Sequence, residues 1–158
     1  FPASIGVKAA RPNCEVICII GDGGFNMNLQ ELGTLALQKL PIKIFILNNK
    51  SYGLIKQSQK TWLKSRYVCV DIDSGVASPN FIKIAKAYNI EAITIDSHNN
   101  LEASLKYVLE YNAGPILCDV IVDSSQEAIP KSNFERSIED MYPYLSKSEL
   151  EENMNFDS

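Results

Sequence analysis

Short runs of β-branched and apolar residues alternate along the chain with longer stretches in which apolar residues recur every three or four positions. Runs of the first kind predict strands that are buried on both faces, and stretches of the second kind predict amphipathic helices. Because strands and helices alternate, we expect right-handed crossovers and an α/β fold with a mostly parallel sheet. The four strands are predicted at residues 14–20, 42–48, 91–96 and 116–123.

The helical periodicity places helices between these strands. A long helix over residues 25–40 ends before Pro41, and a capping box of Asn99 and Glu102 begins a helix over residues 101–111. A weaker strand pattern covers residues 67–73 and runs into a loop. Two further short helices are predicted over residues 54–64 and 81–88.

The composition changes after Asp123, where the chain becomes polar and acidic with few apolar residues. We therefore predict one domain over residues 1–123, followed by a C-terminal extension over residues 124–158. The extension is expected to contain a short helix around residues 146–153.

Charge and composition narrow the classes of function. The 158 residues carry a net charge of −4, and the pI is about 5.0. Neither a basic patch nor an apolar run of about 18 residues occurs, so we expect no nucleic-acid partner and no membrane partner. No secretory signal is recognisable, and a cytoplasmic location is expected.

The cysteines and the histidine give little support for a zinc site or a disulfide. No CxxC occurs, and Cys14, Cys18, Cys69 and Cys118 are expected to be buried free thiols. His98, the single histidine, is expected to be a solvated turn residue.

Unusual polar residues follow the first two predicted strands. The first strand ends in Gly21-Asp22-Gly23-Gly24, and the second ends in Asn48-Asn49. In open α/β sheets, ligands bind at the carboxyl ends of the strands. Glycines and a following helix N-terminus suit a phosphate, but a carboxylate would repel it unless a cation lies between them. The pattern therefore suggests an Mg²⁺-bridged diphosphate, although a plain turn remains the alternative for each motif alone.

Asp22 would supply the carboxylate to that cation. An asparagine oxygen after the second strand and a backbone carbonyl within residues 49–53 could supply two further ligands.

The spacing of these motifs resembles the signature of thiamine diphosphate-dependent enzymes, which is GDG, about two dozen residues, and NN. Here residues 24–47 make 24 intervening residues. The stretches PASIGVKAARP, QELGT, LPIKIFILNN and GPILCDVIVD also resemble this family, and acetolactate synthases in particular. The likeness covers about residues 1–123. It implies the thiamine diphosphate-binding fold, in which a mostly parallel sheet lies between helices on both faces in three layers.

The resemblance also implies roles for individual residues. Asp22, the side chain of Asn49 and the backbone carbonyl of Ser51 would bind Mg²⁺. Backbone groups of Gly23 and Gly24 would hold the diphosphate of the cofactor. The remaining positions expected to contact the cofactor are Gly21, Tyr52, Gly53 and Leu54, of which Leu54 stands where acetolactate synthases usually carry Met.

The implied activity is decarboxylation or carboligation of a 2-oxo acid, in which the cofactor's ylid attacks the substrate carbonyl. The family activates that ylid with a glutamate from a pyrimidine-binding domain of a partner subunit. We therefore expect a homodimer or homotetramer of a polypeptide several times longer. The present chain alone is expected to be inactive and to bind the cofactor weakly.

Three alternatives and one departure qualify this interpretation. Ser58 stands where acetolactate synthases have a Trp that helps to select the second substrate, which argues against true acetolactate synthesis. A subunit of a split 2-oxo acid decarboxylase would need its own Met start. A 2-oxoacid:ferredoxin oxidoreductase would commonly bring a cysteine cluster. A non-catalytic interaction domain is the third alternative, and the retained Asp22 and Asn49 argue against it.

Overall fold

A parallel sheet of four strands is the centre of the fold. The computed structural model describes residues 1–133 and 135–155. The strand order is β1-β2-β4-β3 and every neighbouring pair is parallel, so all four carboxyl ends lie along one edge of the sheet. The strands are β1 (Val16–Gly21), β2 (Ile42–Asn48), β3 (Glu91–Ile95) and β4 (Ile116–Ile121). The helices are α1 (Pro2–Ala10), α2 (Asp22–Asn26), α3 (Glu31–Gln38), α4 (Gly53–Trp62), α5 (Phe81–Ala87), α6 (Leu101–Glu110) and α7 (Lys147–Asn153).

Helices cover both faces of this sheet, as predicted. On one face, alternate residues of β1, β2 and β4 pack against side chains of α2, α3 and α5, with Phe25 and Phe81 in edge-to-face contact. On the other face, Phe45 and Cys118 pack against Val108 of α6. Side chains alternate between the two faces of a strand, which explains why consecutive residues of β2 belong to different cores.

The four predicted strands are confirmed, and β2 has the predicted bounds. The strand predicted over residues 67–73 is wrong. Cys69 has a φ of 52°, and the Ser74 hydroxyl accepts hydrogen bonds from the backbone N–H groups of Val70 and Asp71. These turn contacts leave one isolated antiparallel bridge between Ser51 and Asp71 in place of a strand.

The helices differ from prediction in three places. The helix predicted over residues 25–40 is two helices, α2 and α3, separated by a turn at residues 27–30, and the second ends at Lys39 in a left-handed conformation. The capping box at Asn99 is also wrong, because the Ser97 hydroxyl accepts from the Asn99 N–H and caps a 3₁₀ turn before α6. Helix α1, with Pro2 at its start, was not predicted.

The cysteines allow a direct test of the packing. All four are free, but burial is confirmed only for Cys18 and Cys118, whereas Cys14 and Cys69 are exposed. Burial, and then the charge of Asp119, raise the pKa of the Cys118 thiol to about 12.

We expect a thiol reagent at pH 8 to label Cys14 and Cys69 rapidly in the folded chain, and all four cysteines after denaturation. Peptide mapping of the labelled sites is the measurement. Rapid native labelling of Cys118 would contradict the packing of α6 on β4.

The chain divides into two compact units, Phe1–Gln126 and Glu127–Ser158. Within the second unit, the guanidinium of Arg136 lies 3.9 Å from the ring centroid of Tyr144 and forms an ion pair with Asp140 at 2.7 Å. The helix predicted around residues 146–153 is confirmed as α7, which the Ser146 hydroxyl caps. Across residues 1–133 and 135–155, no helix has the length and apolar character that crossing a membrane requires.

Candidate functional site

Asp22 is the first residue of α2 and directly follows β1. It is only 5% exposed, and its Oδ1 accepts a hydrogen bond of 2.8 Å from the N–H of Gly23. Burial raises the pKa of the carboxyl, and hydrogen bonds from the backbone N–H groups of Gly23, Ser51 and Lys50 oppose that rise. The carboxylate therefore lies against the segment that follows β2, as the sequence motifs predict.

That segment, Asn49 to Tyr52, is called the asparagine loop below. It is shaped by two successive side-chain turns. The Asn48 Oδ1 accepts from the N–H of Lys50, and the Asn49 Oδ1 accepts from the N–H of Ser51, each at 3.1 Å. Lys50 takes a left-handed conformation with a φ of 56°. Asparagine favours such turns because its short side chain mimics a backbone carbonyl. The loop thereby turns two amide groups towards Asp22.

A second buried polar contact joins β2 to β4 directly before the asparagine loop. The Asn48 Nδ2 donates a hydrogen bond of 2.9 Å to the Oδ1 of Asp119 on β4. Asn48 is 5% exposed and Asp119 is 7% exposed. Burial raises the pKa of Asp119, while Asn48 and the charge of Lys50 oppose that rise. Sequence analysis missed Asp119, because it lies in a run that is otherwise typical of a buried strand.

At two glycines, side chains of the asparagine loop lie so close to the backbone that a Cβ would not fit. A Cβ at Gly23 would lie 2.2 Å from the Cδ1 of Tyr52, and a Cβ at Gly53 would lie 2.6 Å from the Nδ2 of Asn49. Both distances are shorter than any side chain tolerates. Glycine at position 23 therefore lets the start of α2 meet the asparagine loop, and glycine at position 53 lets the start of α4 lie against Asn49.

Between these elements lies an open cleft of about 230 Å³. Its walls are Asp22, Gly23 and Asn26 of α2, the stretch from Lys50 to Tyr52, and residues 76–78. In the described part of the chain, the hydroxyls of Ser51 and Ser78 are buried and have no hydrogen-bond partner. Buried hydroxyls without partners are costly, so a polar ligand in the cleft would stabilise both.

The structure brings four of the predicted cofactor positions into this one cleft, namely Asp22, Gly23, Ser51 and Tyr52. The remaining positions lie outside its lining: Gly24 packs near the Ile20 side chain, and Leu54 is exposed at the start of α4. Gly21, Asn49 and Gly53 flank the cleft along the chain. Ser78 was missed, since no local pattern marks a residue that reaches the site from so far along the sequence.

Residues 76–78 are held near the cleft by a turn centred on Asp71. The Asp71 carboxylate binds the Lys56 ammonium at 2.8 Å and the Ser74 hydroxyl at 2.6 Å. The N–H of Tyr52 also donates to the carbonyl of Val70. The bonds from Lys56 and Ser74 lower the pKa of Asp71 to about 2.

We expect the pairing of Asp71 to make stability depend on pH. Its pKa in the folded protein lies below the ordinary 3.8, so its contribution is present above about pH 4 and is lost as the pH falls towards 2. Thermal unfolding between about pH 5 and pH 2 should show a shallower acid loss for Asp71→Asn than for the wild type. Asp73→Asn, at an exposed carboxylate on the same turn, is the control. Parallel curves for wild type and Asp71→Asn would contradict the assignment.

Within the described ranges, no three side chains of His, Cys, Asp or Glu gather as a metal cluster. The ligand set predicted for Mg²⁺ is of another kind, because it combines one carboxylate with one amide oxygen and one backbone carbonyl.

Comparison with known proteins gives independent evidence on the family of this chain. The family described as "Thiamine pyrophosphate enzyme, C-terminal TPP binding domain" matches residues 1–120. The acetolactate synthase large subunit of Porphyra purpurea is 44% identical over 130 residues, which cover 82% of this chain and 22% of that protein. The isozyme 2 large subunit of Escherichia coli K12 is 37% identical over 130 residues, with 82% and 23% covered.

A solved structure agrees with these sequences. The thiamine diphosphate-dependent 4-hydroxybenzoylformate decarboxylase of Rhodococcus jostii RHA1 superposes with a TM-score of 0.67 and 28% identity, covering 78% of this chain and 22% of that one. The chain thus spans about a fifth of the length of the relatives that it matches. Because the family match covers most of the chain and the fold superposes on a member of the same class, this chain belongs to the family of C-terminal TPP-binding domains of thiamine pyrophosphate enzymes.

Proposed function

We propose that this chain is the diphosphate- and Mg²⁺-binding part of a thiamine diphosphate-dependent enzyme that decarboxylates or ligates a 2-oxo acid. The observation that carries the proposal is the buried carboxylate of Asp22, held against the asparagine loop in the wall of a cleft. The relatives named above as acetolactate synthases support the class of reaction.

The donor groups suit Mg²⁺. The carboxylate of Asp22, the Oδ1 of Asn49 and the carbonyl of Ser51 are hard oxygen ligands, and Mg²⁺ prefers such ligands together with phosphate oxygens. The Asn49 and Ser51 oxygens each accept one backbone N–H, from Ser51 and Gly53, and each retains a second lone pair. A cation beside Asp22 would also offset the burial that raises the pKa of this carboxyl.

The cleft also suits the diphosphate. Gly23 lies in the wall of the cleft and carries no side chain, and the hydroxyls of Ser51 and Ser78 offer two donors for phosphate oxygens. When bound, thiamine diphosphate supplies the nucleophilic carbon and the electron sink for 2-oxo acid chemistry. This chain's own residues would bind the diphosphate and orient the cofactor.

The rest of the active site would come from outside this chain. We propose that the pyrimidine-binding domain of another subunit supplies the activating glutamate, in a homodimer or homotetramer in the cytoplasm. Ser58 is exposed, and its hydroxyl donates to the carbonyl of Leu54 on the same helix turn. A serine there does not offer the bulk of the tryptophan found in acetolactate synthases. The proposal therefore includes both decarboxylation, which ends with protonation, and ligation to a second 2-oxo acid.

The test uses the complete protein that contains this chain. Binding of thiamine diphosphate is titrated with Mg²⁺ and with EDTA, and a set of 2-oxo acids is then screened for released CO₂ and for acyloin products. We expect binding that requires Mg²⁺, followed by CO₂ release from at least one acid. Binding without any turnover would favour the non-catalytic alternative, and absence of Mg²⁺-dependent binding would contradict the proposal.

A further inference from the structure

A chain of hydrogen bonds runs from the middle of the sheet to the asparagine loop. It starts at Asp119 on β4, passes through the side-chain amide of Asn48 at the end of β2, and ends at the backbone N–H of Lys50. The sheet register places Asp119 beside Ile46 and Asn48 beside Ile121, so both polar side chains project from the same face as the apolar core of β2.

Two buried polar side chains at this place are costly to the fold. Each must be taken out of water, and a hydrogen bond between buried groups returns little net stability compared with an apolar pair. The neighbour of Asp119 on β2 is the buried Ile46, and its neighbour on β3 is Thr94. Replacing a buried polar pair by apolar residues of similar volume is often neutral or stabilising. A contribution to stability therefore gives no reason for the pair.

The pair does have a geometric consequence. One amide group makes both bonds, because its Nδ2 donates to Asp119 while its Oδ1 accepts from Lys50. The bond to Asp119 fixes which end of the amide faces the loop. Without it, the amide is free to turn, and its Nδ2 would then face the N–H of Lys50 and repel it.

We propose that Asp119 is a positioning residue of the cofactor site, which holds Asn48 so that Lys50 keeps its left-handed conformation and the asparagine loop presents Asn49 and Ser51 to Mg²⁺. The proposal rests on the proposed function, since it assigns the loop its role in Mg²⁺ binding. Nothing in it requires Asp119 to touch the metal or the cofactor.

The test compares three variants of the complete protein. Asp119→Leu removes the acceptor, Asp119→Asn keeps an acceptor oxygen for Asn48, and Lys43→Met is the matched control. Lys43 lies on β2, the strand that ends at Asn48, and is 3% exposed. Its ammonium forms an ion pair with Glu15 at the end of the sheet opposite the asparagine loop.

Two quantities are measured for each variant: the Mg²⁺ concentration that half-saturates thiamine diphosphate binding, and the unfolding midpoint without cofactor. For Asp119→Leu we expect the half-saturating Mg²⁺ concentration to rise about tenfold or more, as for other partners of metal ligands. Saturating Mg²⁺ should restore most of kcat. Asp119→Asn should stay near the wild type, and Lys43→Met should lower the midpoint without changing the Mg²⁺ requirement.

The outcomes separate the two proposals. A wild-type protein that binds the cofactor without Mg²⁺ would overturn the proposed function and this inference together. A wild type that needs Mg²⁺ and an Asp119→Leu variant with the same requirement would overturn only the inference, as would equal rises for Asp119→Leu and Lys43→Met. Should Asp119→Leu fail to fold, Asp119→Ala carries the same test, because it removes the same acceptor and adds no bulk.

Discussion

Replacing Asp22 by alanine is expected to abolish Mg²⁺-dependent binding of thiamine diphosphate. The variant removes the one carboxylate of the proposed ligand set, which the backbone N–H groups of Lys50 and Ser51 face. Loss of a mere partner of a metal ligand costs about 10- to 100-fold, so loss of the ligand should weaken binding by more than about 100-fold. The dissociation constant of thiamine diphosphate is measured by isothermal titration calorimetry of the complete protein in the presence of Mg²⁺.

Two further variants make this result specific. Asp22→Asn keeps the shape and the acceptor oxygen but removes the charge, and we expect it to fold and still to bind Mg²⁺ poorly. Asp96→Ala is the matched control, because Asp96 is an exposed aspartate that follows β3 at the same edge of the sheet. Wild-type affinity in Asp22→Ala would remove the metal bridge from the proposal.

Replacing Gly23 by alanine is expected to weaken cofactor binding with little change in helix formation. The added Cβ would lie 2.2 Å from the ring of Tyr52, so the ring and the asparagine loop must move away from α2. Overpacking of this kind costs about 1–3 kcal/mol, which corresponds to about 10- to 100-fold in affinity if the loop bears that cost. The dissociation constant for thiamine diphosphate at saturating Mg²⁺ is the measurement.

A matched glycine and a second-site change test the reason given for this loss. Gly6 is a helical glycine of α1 with nothing within 4 Å of an added Cβ, so Gly6→Ala should leave binding unchanged. Combining Gly23→Ala with Tyr52→Ala removes the clash and should recover part of the affinity lost in Gly23→Ala. An additive loss in the double variant would show that the contact with Tyr52 is not the cause.

The local patterns of this sequence were sufficient to predict the four strands of the sheet. Strand β2 lies where its sequence predicts, because a short run rich in isoleucine and other large apolar residues is typical of a strand buried on both faces. Residues 67–73 have similar composition but form a turn. There the side chains of Asp71 and Ser74 bind the backbone and compete with strand pairing.

The two motifs after β1 and β2 predicted that Asp22 and the asparagine loop meet, since strand order and direction follow from the alternation of elements. The predicted metal ligation itself stays a prediction. Ser78 and Asp119 could not be found in this way. Each reaches the site through a long-range contact, and neither residue type departs from what a loop or a strand end commonly carries.

The register of β2 gives the two adjacent asparagines different partners. Asn48 is the last residue of the strand and bonds Asp119, whereas Asn49 lies one residue beyond it and bonds the N–H of Ser51. Because side chains alternate along a strand, losing a single residue within β2 would bring Asn49 to the position beside Asp119 and turn Asn48 to the other face of the sheet. The apolar residues of β2 can therefore be exchanged for others of similar volume, but their number cannot change. Across homologous genes, insertions and deletions should be absent from this strand and should fall instead in the turn at residues 27–30.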